Sequence, residues 1–464
     1  MTADVLIVGA GSAGSILAER LSADPARQVT VLEAGPARTD PAIRALTDDA
    51  SILPIGPRSP VARWFGTQLT GDRTHPAEIV RGVCVGGSGS VNGGYFCRAL
   101  PADFDDAPDG WSWADVEPHY RAVMTDLDSP DPRGGGPIPV RRTTEFSTAT
   151  AAFVDVAETA GYRWIPDLNS PAADAGIAAV PLNIAEGIRV GPGAAFLEPA
   201  AGRPNLRVLP GVRATRLRTV AGRVVGVDAV GPQGPLRLDA ATVVLCAGAI
   251  ASAQLLLLSG IGPAADLAAL DIPVLADLPV GQAFSDHPEW VMSTGWAAAH
   301  GHPVLEAVLV TAELEVRPYT TGFAAMAGSP GQAPPDVGVV LTRPRSRGRL
   351  TLTAADPDVA PRIEHRYDSH PGDVAALRGG CELVTDILSG AIELGEPRWS
   401  TSQHLCGTAP MGAGGRSVVD PRCRVHGVDG PAVVDGSILS RIPSRGPHAT
   451  IAMLAHRAAE FFQS

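Results

Sequence analysis

Short apolar runs, glycine-rich turns and helical periodicities alternate along the first part of the chain. Asp4–Val8 is a continuous apolar run of the kind that fills a parallel sheet covered on both faces. From Ser15 to Leu21 the apolar positions fall at helical spacing, Leu17 with Leu21. Val29–Leu32 reads as a second strand ending at Glu33, and Thr242–Ala247 as a third parallel strand leading into a helix. Alternating stretches, Leu305–Val316 and Arg349–Leu352, suit an antiparallel sheet with helices on one face. Trp111–Asp126 reads as a helix, and the Pro/Gly-rich stretch Ser129–Pro139 as a loop. There are no internal repeats.

The first strand runs directly into Gly9-Ala-Gly11-Ser-Ala-Gly14, and the helix follows. Glu33, at the end of the second strand, stands near the ~20-residue spacing expected of a ribose ligand. Each residue type has a reason. Gly9 permits the tight turn, Gly11 lets the backbone approach a pyrophosphate, and Gly14 lets helix and strand pack closely. The helix N-terminus offers free N–H groups to an anion. Glu33 accepts from a ribose hydroxyl and repels a 2′-phosphate, which disfavours NADP. In this context the motif points to a dinucleotide, but alone it does not separate FAD from NAD.

Composition removes several classes. The 464 residues are enough for two or more domains and for a core without staples. No lysine is present, so all 37 basic residues are arginine. That excludes a pyridoxal-phosphate Schiff base and a Walker-A lysine. The net charge of -12 and the lack of a basic run speak against a nucleic-acid partner. Arg343, Arg345, Arg347 and Arg349 alternate as on a solvated strand face. Six cysteines at scattered spacings form neither C-x-x-C nor a zinc pattern, and read as reduced, mostly buried thiols. His300 and His302 form an HxH pair without carboxylate support, and a metal site there is not expected. No leader and no apolar span of about 18 residues is evident. The expectation is a cytoplasmic protein without a transmembrane segment, with peripheral contact to the inner membrane left open.

Further glycine-rich elements narrow the reading. Arg81–Gly94 carries Gly86, Gly87, Ser88, Gly89 and Asn92. Gly248–Pro263 reads GAIASAQLLLLSGIGP, and Val280–Pro288 reads VGQAFSDHP. The C-terminal part holds QHLCGTAPMG, VHGVDGPAVVDGS and PHATIAMLAHRAAE. In this order and across nearly the whole length, these stretches resemble the glucose-methanol-choline (GMC) oxidoreductase family. Ala283 departs from it, where the family usually has Asn.

The resemblance implies an α/β fold: a Rossmann-like FAD-binding domain with a second, substrate-binding domain built on an antiparallel sheet with helices. The FAD-binding parts are expected at 1–105, 176–280 and 418–464, and the substrate parts at 106–175 and 281–417. It implies that Gly9, Gly11, Gly14 and Glu33 hold the ADP half of FAD. Gly86, Gly87, Ser88 and Asn92 then lie along the pyrophosphate and flavin. Ala214, in the strand after Asn205, meets the adenine, and Asp435 and Gly436 close over the cofactor. Relatives with a covalent flavin place a histidine where this chain has Val91, so noncovalent FAD is expected.

Oxidising a CH–OH group sends a proton to a base and a hydride to flavin N5, and histidine suits the base. His404 matches the family's catalytic histidine. His448 matches the second position and is expected to hydrogen-bond the substrate oxygen; the two roles could be exchanged. His287 is read as structural. Pro447 suits the start of a helix whose positive end faces the ligand. The expected activity is that of a dehydrogenase, with an O2-using alcohol oxidase and a flavin-containing hydroxynitrile-type lyase as alternatives. The compact chain and the 81–105 stretch resemble the GMC dehydrogenases of the actinobacterial mycofactocin system. That would make reduced mycofactocin the alcohol-type substrate, with electrons passing by an unknown acceptor towards respiration.

Overall fold

The computed structural model describes residues 3–74, 76–129, 134–171, 175–327 and 334–463. Two large sheets carry the molecule. Their strands, in chain order, are β1 (Ala3–Val8), β2 (Val29–Glu33), β3 (Gly176–Ala179), β4 (Leu206–Pro210), β5 (Arg213–Val220), β6 (Arg223–Gly231), β7 (Gly234–Leu245), β8 (Pro288–Ser293), β9 (Ala307–Val310), β10 (Leu314–Pro318), β11 (Asp336–Leu341), β12 (Arg398–Thr401) and β13 (Pro431–Val433). The helices that bear on function are α1 (Ser12–Leu21), α2 (Trp113–Val123), α3 (Thr148–Thr159), α4 (Gly248–Leu258), α5 (Pro371–Leu388) and α6 (His448–Ala459).

The first sheet has the order β4-β2-β1-β7-β6-β5, with β13 also on β7. β4, β2, β1, β7 and β13 are mutually parallel where they pair. β7 does two jobs: Ala240–Leu245 pairs in parallel with β1, while Gly234–Asp239 pairs antiparallel with β6. The expected third strand is therefore present but starts earlier than Thr242. Leu6, Ile7, Val31, Val243 and Val244 are fully buried, as double coverage of a parallel sheet requires.

The second sheet, β12-β8-β11-β10-β9-β3, is antiparallel throughout, with α3 and α5 packed on it through one apolar core. The expected antiparallel sheet with helices is thus present. Two segments sit elsewhere than the sequence division puts them. Gly176–Ala179, assigned to the FAD-binding part, pairs with β9 in the second sheet. Helix α2, assigned to the substrate part, packs on α6 in the core of the first sheet, with Tyr120 Oη and Thr450 Oγ1 at 2.7 Å. Strand pairing and helix docking are long-range choices, and a boundary drawn from composition does not see them.

Smaller departures have local causes. The helix expected over Trp111–Asp126 is capped by Ser112 and stops at Val123. Met124–Asp126 then pairs as a short strand with Ile138–Val140, which begins in the last two residues of the stretch read as a loop. Of that loop, residues 130–133 lie outside the described residues. The arginine alternation survives as burial: Arg343 and Arg345 are exposed, while Thr342, Pro344 and Ser346 are buried. Only Arg349 belongs to a strand. All six cysteines are free and buried. No helix among the described residues is long and apolar enough to cross a membrane.

Candidate active site

The C-terminal ends of β1, β2 and β7 open onto a cavity of about 710 Å³. It extends from Glu33 and Ala214, past Gly11 and Gly87, to His404 and His448. The glycine motif is built as its spacing requires. Gly9 has φ +103°, and a Cβ there would stand 2.6 Å from the Cys246 carbonyl oxygen. A Cβ on Gly14 would overlap the Gly9 carbonyl, so this glycine is where α1 touches the turn. A Cβ on Gly11 would clash with nothing and make ordinary contacts, 3.8 Å from Gly87 Cα and 3.9 Å from the Cys246 carbonyl oxygen. Gly11 also caps α1 without a side-chain bond, which leaves first-turn N–H groups free towards the cavity. The second glycine stretch packs onto the first: a Cβ on Gly87 would lie 2.8 Å from Gly11 Cα.

Glu33 is buried at 6% exposure. Its Oε2 accepts from Ala10 N at 3.0 Å and its Oε1 from Gly35 N at 2.9 Å. Burial pushes its pKa up to about 7, against the pull of those backbone bonds. Each oxygen retains acceptor capacity towards a hydroxyl. Ala214 lies in β5, one strand later than expected, since β4 follows Asn205 directly; it lines the cavity as expected. Asp435 is committed to structure. Its Oδ2 accepts from Gly248 N at 2.8 Å and Ser252 Oγ at 2.6 Å, and its Oδ1 from Ser437 N at 2.8 Å. It therefore ties the start of α4 to the cavity wall, beside Gly436. Gly86 and Gly14 support the cradle from behind and do not line it. Ser88 lines it, with its Oγ accepting from Gly82 N at 3.1 Å.

At the other end, Asn92 Oδ1 accepts from Gly94 N at 3.0 Å, which fixes the amide orientation. Its Nδ2 then donates to His448 Nδ1 at 3.0 Å. His448 must therefore carry its hydrogen on Nε2, which reaches Ser12 Oγ at 3.1 Å. Both ring nitrogens of His448 are engaged, so the expected bond to a substrate oxygen would require giving up Ser12. Burial lowers the His448 pKa to about 4.

His404 is held from three sides. Gln403 before it has φ +66°, uncommon for a residue with a side chain. The Gln403 Oε1 accepts from Val80 N at 3.0 Å and Arg81 Nη1 at 3.3 Å, which pins that turn. Asp286 Oδ1 accepts from both the His404 and His287 backbone N–H groups at 2.8 Å. Asp286 Oδ2 meets His365 Nε2 at 3.1 Å and Thr401 Oγ1 at 3.0 Å. His404 Nδ1 lies 2.9 Å from His287 Nδ1. A Cβ on Gly446, two residues before His448, would stand 3.4 Å from His404 Cε1, so the two histidines share one wall.

The electrostatics keep His404 uncharged. Burial, then His287 and Arg317, hold its pKa well below the ordinary 6.5; Arg81 acts the same way and Asp286 opposes. The acid limb of any step that uses the neutral ring should lie below pH 6.5. Rates of alcohol-driven flavin reduction are expected to change little between pH 9 and 6.5. A limb centred at or above 6.5 would contradict this placement.

Sequence reasoning named His404 and His448 but missed Asp286, Gln403 and Arg81 as parts of the site. Arg81 lines the cavity with a buried Nη2 that has no hydrogen-bond partner among the described residues. Beyond His404, Arg317 pairs with Glu315 at 2.7 Å and donates to Ser402 Oγ at 3.0 Å. Away from the cavity, His302 has a carboxylate partner after all, Glu306 at 2.8 Å. No group of residues among those described could hold a metal ion.

Gly11 on the cavity wall without a side chain, the free α1 N-terminus, the Arg81 Nη2 without a partner among the described residues and the reach of the cavity from Glu33 to His404 fit an extended dinucleotide such as FAD.

Comparison with known proteins agrees. Residues 3–289 match the N-terminal model of the GMC oxidoreductase family, and residues 344–455 match the C-terminal one. An uncharacterised GMC-type oxidoreductase of Rhodococcus erythropolis is 40% identical, covering 98% of this chain and 97% of that protein. A 5-(hydroxymethyl)furfural oxidase of a Methylovorus strain is 30% identical over 526 aligned positions, covering 98% of each chain. The solved structure of a pyridoxine 4-oxidase from Mesorbium loti superposes with a TM-score of 0.88 at 27% identity, covering 99% of each chain.

Proposed function

From the membership of this chain in the GMC oxidoreductase family, as an FAD-dependent enzyme acting on CH–OH donors, we propose that His404 is its general base and that it works as a dehydrogenase. The observation that carries the first part is a half-buried, uncharged histidine on the wall of the same cavity as the glycine cradle. Bound there, FAD supplies the acceptor for the hydride of the substrate carbon. The chain supplies the rest. His404 takes the hydroxyl proton as the carbonyl forms, Asp286 and Gln403 fix its backbone, and burial with the neighbouring Arg317 and Arg81 charges keeps the ring unprotonated and ready to accept. His448 with Asn92 and Ser12 orders the wall next to it. We assign the ADP half to Gly9, Gly11, Glu33 and Ala214, with Gly14 packing the turn from behind. Gly87, Ser88 and Asn92 belong to the pyrophosphate and flavin, with Gly86 behind them, and Asp435 and Gly436 complete the wall. The FAD-binding part then comprises 1–105, 180–280 and 418–464, together with α2.

Val91 lines the cavity where a tethering nucleophile would have to stand, which supports noncovalent FAD. Acid precipitation should release all flavin into the supernatant. Flavin remaining in the pellet would refute that.

The finer reading is reoxidation of reduced mycofactocin in the cytoplasm, at or near the inner membrane, with electrons passed to a respiratory carrier. The compact chain, the 81–105 stretch and the Rhodococcus relative support it. The furfural oxidase and pyridoxine oxidase similarities favour a second reading, an O2-using oxidase. Stopped-flow reoxidation separates them. Reduced enzyme mixed with aerated buffer should take minutes to reoxidise as a dehydrogenase. Reoxidation within about a second would establish the oxidase.

A further inference from the structure

We infer that His287 is a positioning residue that sets the tautomer of His404, so that the His404 lone pair faces the substrate. The inference rests on His404 being the base. It follows from one chain of contacts read from its fixed end. The Thr342 backbone carbonyl lies 3.2 Å from His287 Nε2. A carbonyl oxygen only accepts, so His287 Nε2 carries a hydrogen. Burial and the Arg317 charge lower the His287 pKa to about 4, against Asp286, Glu315 and a backbone hydrogen bond to Pro443, so the ring is neutral at pH 7 and carries one hydrogen, which the Thr342 contact places on Nε2. His287 Nδ1 is then a lone pair. It faces His404 Nδ1 at 2.9 Å, and the contact is a hydrogen bond only if His404 Nδ1 carries the hydrogen. A neutral His404 with hydrogen on Nδ1 has its lone pair on Nε2. That nitrogen has no partner among the described residues, and the ring lines the cavity.

The opposite arrangement would place two lone pairs against each other at Thr342 and turn an N–H of His404 towards the substrate. In that state His404 is a donor and not a base. The imidazole of His287, 1% exposed, thus plays the part that a buried carboxylate plays behind other catalytic histidines. A neutral partner has a consequence of its own. It selects the tautomer without adding negative charge behind the base, so the ring stays unprotonated at neutral pH. Rings at 84° to one another, with centroids 5.2 Å apart, hold the geometry.

The test uses the FAD-loaded protein. In wild type labelled with 15N-histidine, the His404 signal, identified by its loss in His404→Gln, should be that of an Nδ1–H ring with unprotonated Nε2. An Nε2–H signal would overturn the inference, and this measurement needs no folded His287 variant. In His287→Phe the acceptor is gone. Alcohol-driven flavin reduction should slow by 10²-fold or more, carried by the maximal rate rather than by substrate saturation, with FAD retained. In His287→Asn, Oδ1 falls near the place of Nδ1 and accepts from His404, so most of the rate should return. His287→Phe reducing flavin at the wild-type rate, while His404→Ala does not, would sink this inference alone. If His404→Ala itself reduces flavin normally, the underlying reading fails first.

Discussion

Replacing His404 by alanine should slow alcohol-driven reduction of the bound flavin by about 10²–10⁴-fold, the usual worth of a general base. FAD should stay bound. The expectation rests on where the residue sits. His404 touches the cavity with its ring, while its backbone is held by Asp286 and its neighbour Gln403 by Val80 and Arg81. The nucleotide end of the cavity is formed by other elements, β1, α1, β2 and β5. The visible spectrum of the variant should therefore match wild type, and dithionite should bleach it at the normal rate. Only the alcohol-driven step should fail. Near wild-type reduction by an alcohol would remove His404 from the mechanism.

Asp286→Ala should have the largest effect on stability, about 3 kcal/mol or more. The carboxylate is buried and gathers four donors, the N–H groups of His287 and His404, His365 Nε2 and Thr401 Oγ1. Burial alone would raise its pKa. The His365 hydrogen bond and the Arg81 charge outweigh burial and hold it below the usual carboxylate range. Alanine leaves those donors without their acceptor at a buried position, which costs more than the bonds were worth. Chemical denaturation read by flavin release and far-UV signal should show one early transition. Asp286→Asn, which keeps the shape, should fall between. A loss below about 0.5 kcal/mol would show that the hub is not structural.

The nucleotide end was legible because its physics is local. Gly9, Gly11 and Gly14 are dictated by a turn, a close approach and a helix contact within a few residues, and Glu33 closes the next strand. The proposed base was named only through a resemblance, since nothing in the apolar spacing distinguishes His404 from the other histidines. What holds His404 was not legible at all. Asp286, His365 and Thr401 come from distant parts of the chain, and their meeting depends on β8 pairing with β12. Gln403 adopts a positive φ without the glycine that would have signalled it. His287 looked structural for the same reason: its meaning lies in the atom opposite each nitrogen, which no sequence pattern encodes. The contacts of His448 with Ser12 and Asn92 likewise join the last helix to the first glycine loops.

The most direct test of the account is anaerobic stopped-flow of wild type and His404→Ala, both with FAD confirmed, against a panel of primary and secondary alcohols. The account predicts that wild-type flavin bleaches with at least one alcohol, with carbonyl product in equal amount, and that the variant is at least about 100-fold slower with the same alcohol. Equal bleaching of the two proteins would contradict the assignment of the base. Turnover of a hydroxylated substrate by wild type without any bleaching would contradict the oxidation itself and point to a lyase.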